Sequence, residues 1–233
     1  MEKKKCTAIV LAAGQGKRMG TKTQKQYLLM ADKPVLYYSL KTFQDSAIID
    51  DIYLVTGSGD EEYCRRQIVE KYGIQKVRHI LCGGEERYHS VWNALKEMTE
   101  EGYVFIHDGA RPFVNEVMIE RAYETVEKYG ACVVGVPVKD TIKIVDADQN
   151  VTDTPERSKV WLVQTPQVFD VALVKNAYAE MIKAGMSNVT DDAMVVEQVC
   201  GHQIKLVEGS YENIKITTPE DLQIGELFVQ RQM

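Results

Sequence analysis

The stretch CTAIVLAAGQGKRMG, Cys6 to Gly20, decides the reading of this chain. Its first half, Cys6–Ala13, is an unbroken apolar run of strand length, as expected for a strand covered on both faces in a parallel sheet. Its second half is a glycine-rich turn carrying Lys17 and Arg18. Glycines let backbone N–H groups approach an anion closely, and the two cations add charge. Both best-known phosphate loops are excluded. A Walker A loop needs glycine where Leu11 stands and Ser or Thr where Arg18 stands; a dinucleotide fingerprint needs glycine where Met19 stands.

Outward from this stretch, short apolar runs alternate with helical patterns. Strands are expected at Ile52–Thr56, Val77–Leu81, Tyr103–His107 and Ala131–Val138. Helices are expected at Pro34–Phe43 (with Asp32 as cap), Glu61–Tyr72, Arg87–Glu97 and Val117–Tyr129. This rhythm specifies an α/β fold: a Rossmann-like, mostly parallel sheet with helices on both faces and right-handed crossovers. The rhythm breaks over residues 139–159, where Ile142 and Ile144 alternate with polar residues before a turn at Asp146–Asn150. This reads as a protruding β-hairpin arm, which is marginal alone in water and so leans on something, another subunit first of all. Beyond it come a strand at Trp161–Thr165, helices near Val171–Ala184 and Asp191–Cys200, strands at Ile204–Val207 and Ile214–Thr217, and a helix from Pro219.

With 233 residues, no linker and no repeat, one domain is expected over residues 1–233. Such a chain buries about 70% of its surface without staples. The five cysteines are scattered, with no CxxC pair, and make no ligand set with the four histidines. Free thiols in the cytoplasm are the plain reading. No apolar run reaches a membrane span, and Ala8–Ala13 is too short for a signal core. The net charge of −6 argues against a nucleic-acid partner. Yet no Asp or Glu occurs between Lys3 and Ala31, a window holding seven Lys and Arg, which points to a small anion.

In open α/β sheets ligands bind beyond the carboxyl ends of strands. After the first strand stand Gly14, Gly16, Arg18 and, further on, Lys25, cations suited to a triphosphate. After the third come Gly83, Gly84, Glu85 and Ser90, which read alone are a turn and helix cap. After the fourth comes HDGARP: Asp108 suits Mg²⁺, which takes few carboxylates plus phosphate oxygens, and Arg111 suits a second phosphate. An equally simple reading makes Asp108 a turn cap paired with Arg111. Lys215 faces opposite to Ile214 and Ile216 if that segment is a strand. There is no GxSxG elbow, so direct phosphoryl or nucleotidyl transfer by positioning and charge neutralisation fits better than covalent catalysis.

Taken together, LAAGQGKRMG, KQY, GGEERYHSV, HDGARPFV, PVKDTIK, QTPQVF, TDDA and NIKITTPEDL resemble, in this order, the 2-C-methyl-D-erythritol 4-phosphate cytidylyltransferases, members of the nucleotide-diphospho-sugar transferase type. The resemblance spans nearly the whole chain. It implies a reaction of CTP with methylerythritol phosphate that gives a CDP-alcohol and pyrophosphate with Mg²⁺. By the family pattern Ala12, Ala13, Gly14, Gly16, Gly83, Gly84, Glu85, Ser90, Asp108 and Gly109 surround the nucleotide, with Asp108 beside the metal. Arg18, Lys25 and Lys215 match the charge-stabilising cations, and Arg111, Thr141, Arg157, Thr165 and Lys215 match positions around the acceptor. Residues 139–159 match a dimerisation arm that carries Arg157 to the neighbour's site, so a homodimer is implied.

Three departures stand out. Gln24 replaces a common proline, which leaves the loop near Lys25 looser; Glu85 replaces a common Asp; Gly109 replaces a frequent alanine and gives the backbone more freedom. A ribitol-5-phosphate cytidylyltransferase is the rival within the class, although its first loop tends to read LAGG rather than LAAG. A non-catalytic nucleotide-binding module and a nicotinamide-dependent oxidoreductase are the readings from other classes.

Overall fold

The computed structural model describes residues 3–14, 24–98 and 101–232. The strands are β1 (Cys6–Ala12), β2 (Asp51–Thr56), β3 (Val77–Cys82), β4 (Tyr103–Asp108), β5 (Ala131–Pro137), β6 (Trp161–Asp170) and β7 (Lys205–Glu208). They form one sheet in the order β7-β5-β6-β4-β1-β2-β3. Every pairing is parallel except those of β6, which runs antiparallel to both β4 and β5. The chain winds from β1 out to β3, then returns to β4 on the other side of β1, so the switch point lies between the ends of β1 and β4, where Leu11 pairs with Asp108.

The strand pattern sends Ala8 and Val10 to one face and Ile9 to the other. The first face is covered by α1 (Val35–Asp45), α2 (Glu61–Cys64) and α4 (Glu116–Tyr129) through Leu36, Leu40, Cys64, Ile119 and Ala122. The second is covered by α3 (Arg87–Glu97), α5 (Val171–Lys183) and α6 (Asp192–Cys200) through Val91, Leu95, Val174, Tyr178 and Val195. A smaller cluster of Met30, Val35, Phe113, Ile216 and Val229 seats the C-terminal helix α7 (Pro219–Gln232). No helix among the described residues is long and apolar enough to cross a membrane.

Four expectations change. Asp32 does not cap α1. It follows Ala31 in a two-residue turn, both at positive φ (46° and 68°), joining Leu29–Met30 to Lys33–Pro34; Pro34 takes the cap position. The helix expected from Glu61 widens after Cys64 into a π segment, Arg65–Glu70, with Cys64 and Ile68 both buried. The strand expected to end at Thr165 runs on to Asp170. Its register against β5 shifts between Val163 and Gln167, so the N–H that Pro166 lacks falls where no ladder bond is needed. Residues 214–217 are not a strand: Ile216 N–H reaches the Ala110 carbonyl, but no ladder forms. The hairpin in 139–159 is present, Ile144–Val145 pairing with Val151–Asp153.

All five cysteines are unpaired. Burial pushes the Cys6 and Cys132 thiols up to about 12 and the Cys64 thiol up to about 11. Cys82 is exposed and Cys200 half-buried. A maleimide at pH 8 should therefore label Cys82 and Cys200 in the native protein and all five only after unfolding. Peptide mapping by mass spectrometry checks this; fast native labelling of Cys6 or Cys132 would contradict the packing.

Candidate active site

A cleft of about 550 Å³ opens at the switch point, within the usual size of a small-molecule site. One wall is the end of β1 with Leu11, Ala12, Ala13 and Gly14; Lys25 and Gln26 follow. Opposite lie Gly84, Glu85, Glu86, Arg87 and Ser90, from the turn after β3 and the start of α3. Asp108 and Ala110 form the floor at the end of β4, and Lys215 and Thr217 close the side.

The turn after β3 is shaped by close contact. A side chain on Gly83 would strike the Ala13 Cβ and lie 2.9 Å from Ser90 Oγ, and one on Gly84 would strike the His89 Cβ. Ser90, 3% exposed, accepts from Gly84 N–H at 3.0 Å. Gly109 donates to the Leu11 carbonyl, and a Cβ there would meet Leu36 at 2.7 Å and Leu11 O at 3.0 Å. Close packing rather than backbone freedom is what glycine supplies at this position.

Asp108 is the most strongly held acid of the cleft. Arg87 Nε lies 3.1 Å from one carboxylate oxygen and Lys215 Nζ 2.6 Å from the other. Burial works to raise its pKa, but Arg87, Lys215 and Arg111 hold it well below the usual carboxylate range. Its ion-pair partners are thus Arg87 and Lys215, not Arg111. Arg87 in turn forks onto Asp192 through Nη1 and Nη2 at 2.8 and 2.7 Å. Asp192 is fully buried and also accepts from the Tyr178 hydroxyl at 2.6 Å. Gln167 Oε1 anchors the Asp192 and Ala193 N–H groups, and Asp191 caps α6. Burial opposes the charge on Arg87, but Asp192 and then Asp108 keep it protonated.

Behind the floor, Thr165 Oγ1 accepts from Asp108 N–H at 3.1 Å and contacts His107 Nδ1 at 3.0 Å. His107 Nε2 meets the Arg111 carbonyl at 3.0 Å. Burial pushes the imidazole down to about 4, so it is neutral, donating to Arg111 and accepting from Thr165. Thr165 is 4% exposed and works as an internal strut.

Of the residues singled out in the sequence, the cleft gathers Ala12, Ala13, Gly14, Lys25, Gly84, Glu85, Ser90, Asp108 and Lys215. Gly83 and Gly109 back it. Gly16 and Arg18 lie outside the described residues. Arg111 binds the carbonyls of Asn213 (2.8 Å) and Val163 (3.5 Å) instead of lining the cleft. Thr141 and Arg157 sit exposed in the arm segment, away from the cleft lining, Arg157 donating to the Lys139 carbonyl at 3.2 Å. Sequence reading gave no role to Arg87, Asp192 or Gln26. Arg87 and Asp192 stand 105 positions apart, and only their places at two helix starts hinted at a shared location.

Among the described residues no three acidic, His or Cys side chains gather as a metal site. One ionised carboxylate facing room for phosphates nevertheless fits Mg²⁺, which prefers one or two carboxylates plus substrate oxygens.

A glycine-shaped wall, cationic side chains and a held carboxylate at a strand switch point define a nucleotide-binding α/β protein. The sequence profile of 2-C-methyl-D-erythritol 4-phosphate cytidylyltransferase (IspD) matches residues 6–231. A protein of that name from Lachnospira eligens is 49% identical over 96% of this chain and 99% of its own. Another from Alkaliphilus metalliredigens is 50% identical over 95% and 92%. The crystal structure of the Anaerococcus prevotii 4-diphosphocytidyl-2C-methyl-D-erythritol synthase superposes with TM-score 0.87 at 34% identity, covering 99% of this chain and 100% of that one. The Francisella tularensis cytidylyltransferase gives 0.80 at 30% identity, covering 98% and 100%. The chain belongs to the 2-C-methyl-D-erythritol 4-phosphate cytidylyltransferase family.

Two substitutions test the network. Arg87→Ala strands the buried Asp192 charge and should cost about 3–5 kcal/mol in urea unfolding, with Asp192→Asn costing less. Thr165→Val leaves Asp108 N–H and His107 Nδ1 unpartnered and should cost about 2–4 kcal/mol. A Thr165→Val protein of unchanged stability but raised KM for the acceptor would instead make Thr165 a substrate contact.

Proposed function

We propose that this chain transfers the cytidylyl group of CTP to 2-C-methyl-D-erythritol 4-phosphate, giving 4-diphosphocytidyl-2-C-methyl-D-erythritol and pyrophosphate. The observation that carries the reading is that Lys25, Lys215 and Asp108 line one cleft with the Gly84–Ser90 turn. An acceptor phosphate oxygen attacks the α-phosphorus of CTP, and the bond to the β-phosphate oxygen breaks. A phosphate monoester is already anionic at pH 7, its second pKa being about 6, so no general base is needed. The work left for the protein is alignment and charge neutralisation.

The Ala12–Gly14 backbone, Gly83, Gly84, Glu85 and Ser90 take the base and ribose. Lys25, Lys215 and, from outside the described residues, Arg18 offset the charge that builds on the transferring phosphate. When Lys215 turns to phosphate, Arg87 remains on Asp108 and keeps that carboxylate ionised and aimed. Asp108 is the residue that would hold Mg²⁺, and the ion would supply positive charge against the triphosphate.

The 139–159 arm serves a homodimer in this reading. Support comes from Ile144, Val145 and Val151, each about half exposed on a two-stranded hairpin that is marginal alone. Arg157 and Thr141 then belong to the acceptor side of the neighbour's site, with Arg111 nearby. The five unpaired cysteines fit a reducing cytoplasm.

Pyrophosphate release from CTP with Mg²⁺ should occur with methylerythritol phosphate and not with ribitol 5-phosphate. Release mainly with ribitol 5-phosphate would keep the chemistry and change the acceptor. Lys25→Ala should lower kcat by about 10²-fold or more, on the scale of a lost transition-state donor, and leave CTP affinity within a few-fold. Equal losses in both would make Lys25 a ground-state contact.

A further inference from the structure

The segment that presents Lys25 is tied down on both sides by side chains, and we infer that Gln24 and Asp60 are positioning residues for Lys25. The inference rests on the charge-stabilising reading of Lys25 given above. Gln24 Nε2 donates to Asp60 Oδ2 at 2.7 Å, and Gln24 Oε1 accepts from Gln26 Nε2 at 2.5 Å. Gln26 is 2% exposed and also reaches the carbonyls of Ala12 (2.5 Å) and Gly14 (3.1 Å). On the far side, the Tyr27 hydroxyl donates to the same Asp60 oxygen at 3.3 Å. The short turn Lys25–Tyr27 is therefore clamped between two rigid elements, the end of β1 and the start of α2. The looseness expected from Gln24 in the sequence is not what its side chain produces.

Two further observations support a dedicated clamp. Asp60 occupies the cap position of α2, where a carboxylate ordinarily binds the helix N–H groups, yet it makes no capping bond and turns to Gln24 and Tyr27 instead. Gly57 leaves the space: a Cβ there would lie 2.8 Å from Asp60 Oδ2 and 3.5 Å from Gln24 Nε2. Holding a charged group to within a fraction of an ångström matters for transfer, because a displacement near 1 Å costs about 10²-fold in rate. The backbone of Gln24 rests at φ −63°, ψ 141°, a conformation that proline would fix without any side-chain partner.

The test is steady-state kinetics on full-length Gln24→Ala, Asp60→Ala, their double variant and Gln24→Pro, with Lys25→Ala as reference and thermal unfolding in parallel. Gln24→Ala and Asp60→Ala should each lower kcat about ten-fold or more, with KM for CTP nearly unchanged, since misplacement acts on the transition state. The double variant should lose clearly less than the product of the two single losses, because both remove the shared Gln24–Asp60 bond while each also removes one bond of its own. Gln24→Pro should keep kcat near that of the parent enzyme and shrink the loss caused by Asp60→Ala, leaving only what the Tyr27–Asp60 bond contributes. Variants that shift the melting temperature but keep wild-type kcat would overturn the clamp, as would losses that multiply independently. A Lys25→Ala enzyme with unchanged kcat would remove the reading beneath it, whereas a slow Lys25→Ala enzyme beside fast clamp variants would overturn the clamp alone.

Discussion

A carboxylate at the end of a central strand is a liability in apolar surroundings, and Asp108 is tolerated because a cation meets each of its oxygens. Arg87 and Lys215 could not serve this purpose if they were themselves free to wander. Arg87 is fixed by Asp192, whose own charge is buried and therefore demands the fork. Asp192 is fixed by Gln167 and Tyr178. The chain of dependence thus passes from β4 to α3, α6, β6 and α5. Elements from both halves of the sequence converge on one oxygen pair, and the buried Arg87–Asp192 fork keeps the cleft in shape.

The peptide of Asp108 is held as firmly as its side chain. Its N–H is taken by Thr165, which needs His107 as its other partner, which in turn needs the Arg111 carbonyl. A neutral imidazole can bridge a hydroxyl and a carbonyl because it donates at one nitrogen and accepts at the other. This uses three residues of the HDGAR motif and one of QTPQVF as scaffold. Motif residues that look like ligands in a linear reading can be the struts that aim their neighbours.

The fold was legible where local periodicity decides it. Strands such as β1 and β4, apolar on both faces, and helices such as α3, with one apolar stripe, were visible in the pattern itself. The extension of β6 past Pro166 was not, because proline signals a break and only the partner strands reveal a bulge that absorbs it. Residues 214–217 alternate like a strand, yet they lie along the C-terminal helix cluster with no ladder partner. The candidate site was legible in its glycines and in Lys25, Asp108 and Lys215, whose types and strand-end positions are local facts. Arg87 with Asp192, and Gln24 with Asp60, were hidden because each acts through a partner far away in sequence. The arm was legible as a hairpin by its turn and alternation.

The antiparallel strand β6 has a consequence for the order in which the molecule is made. It lies between β4 and β5, and these two strands do not touch each other in the sheet. As the chain leaves the ribosome, β1 to β4 can assemble a four-stranded parallel unit, but one side of β4 then carries unpaired backbone groups. Nothing seals that border until Asp170 has emerged. Only then can β5 be recruited, with the 139–159 arm looped out between the two strands it separates. Asp192 follows still later, 105 positions after the Arg87 it pairs with. The strand order thus makes the completion of both the sheet and the site depend on segments that are synthesised last.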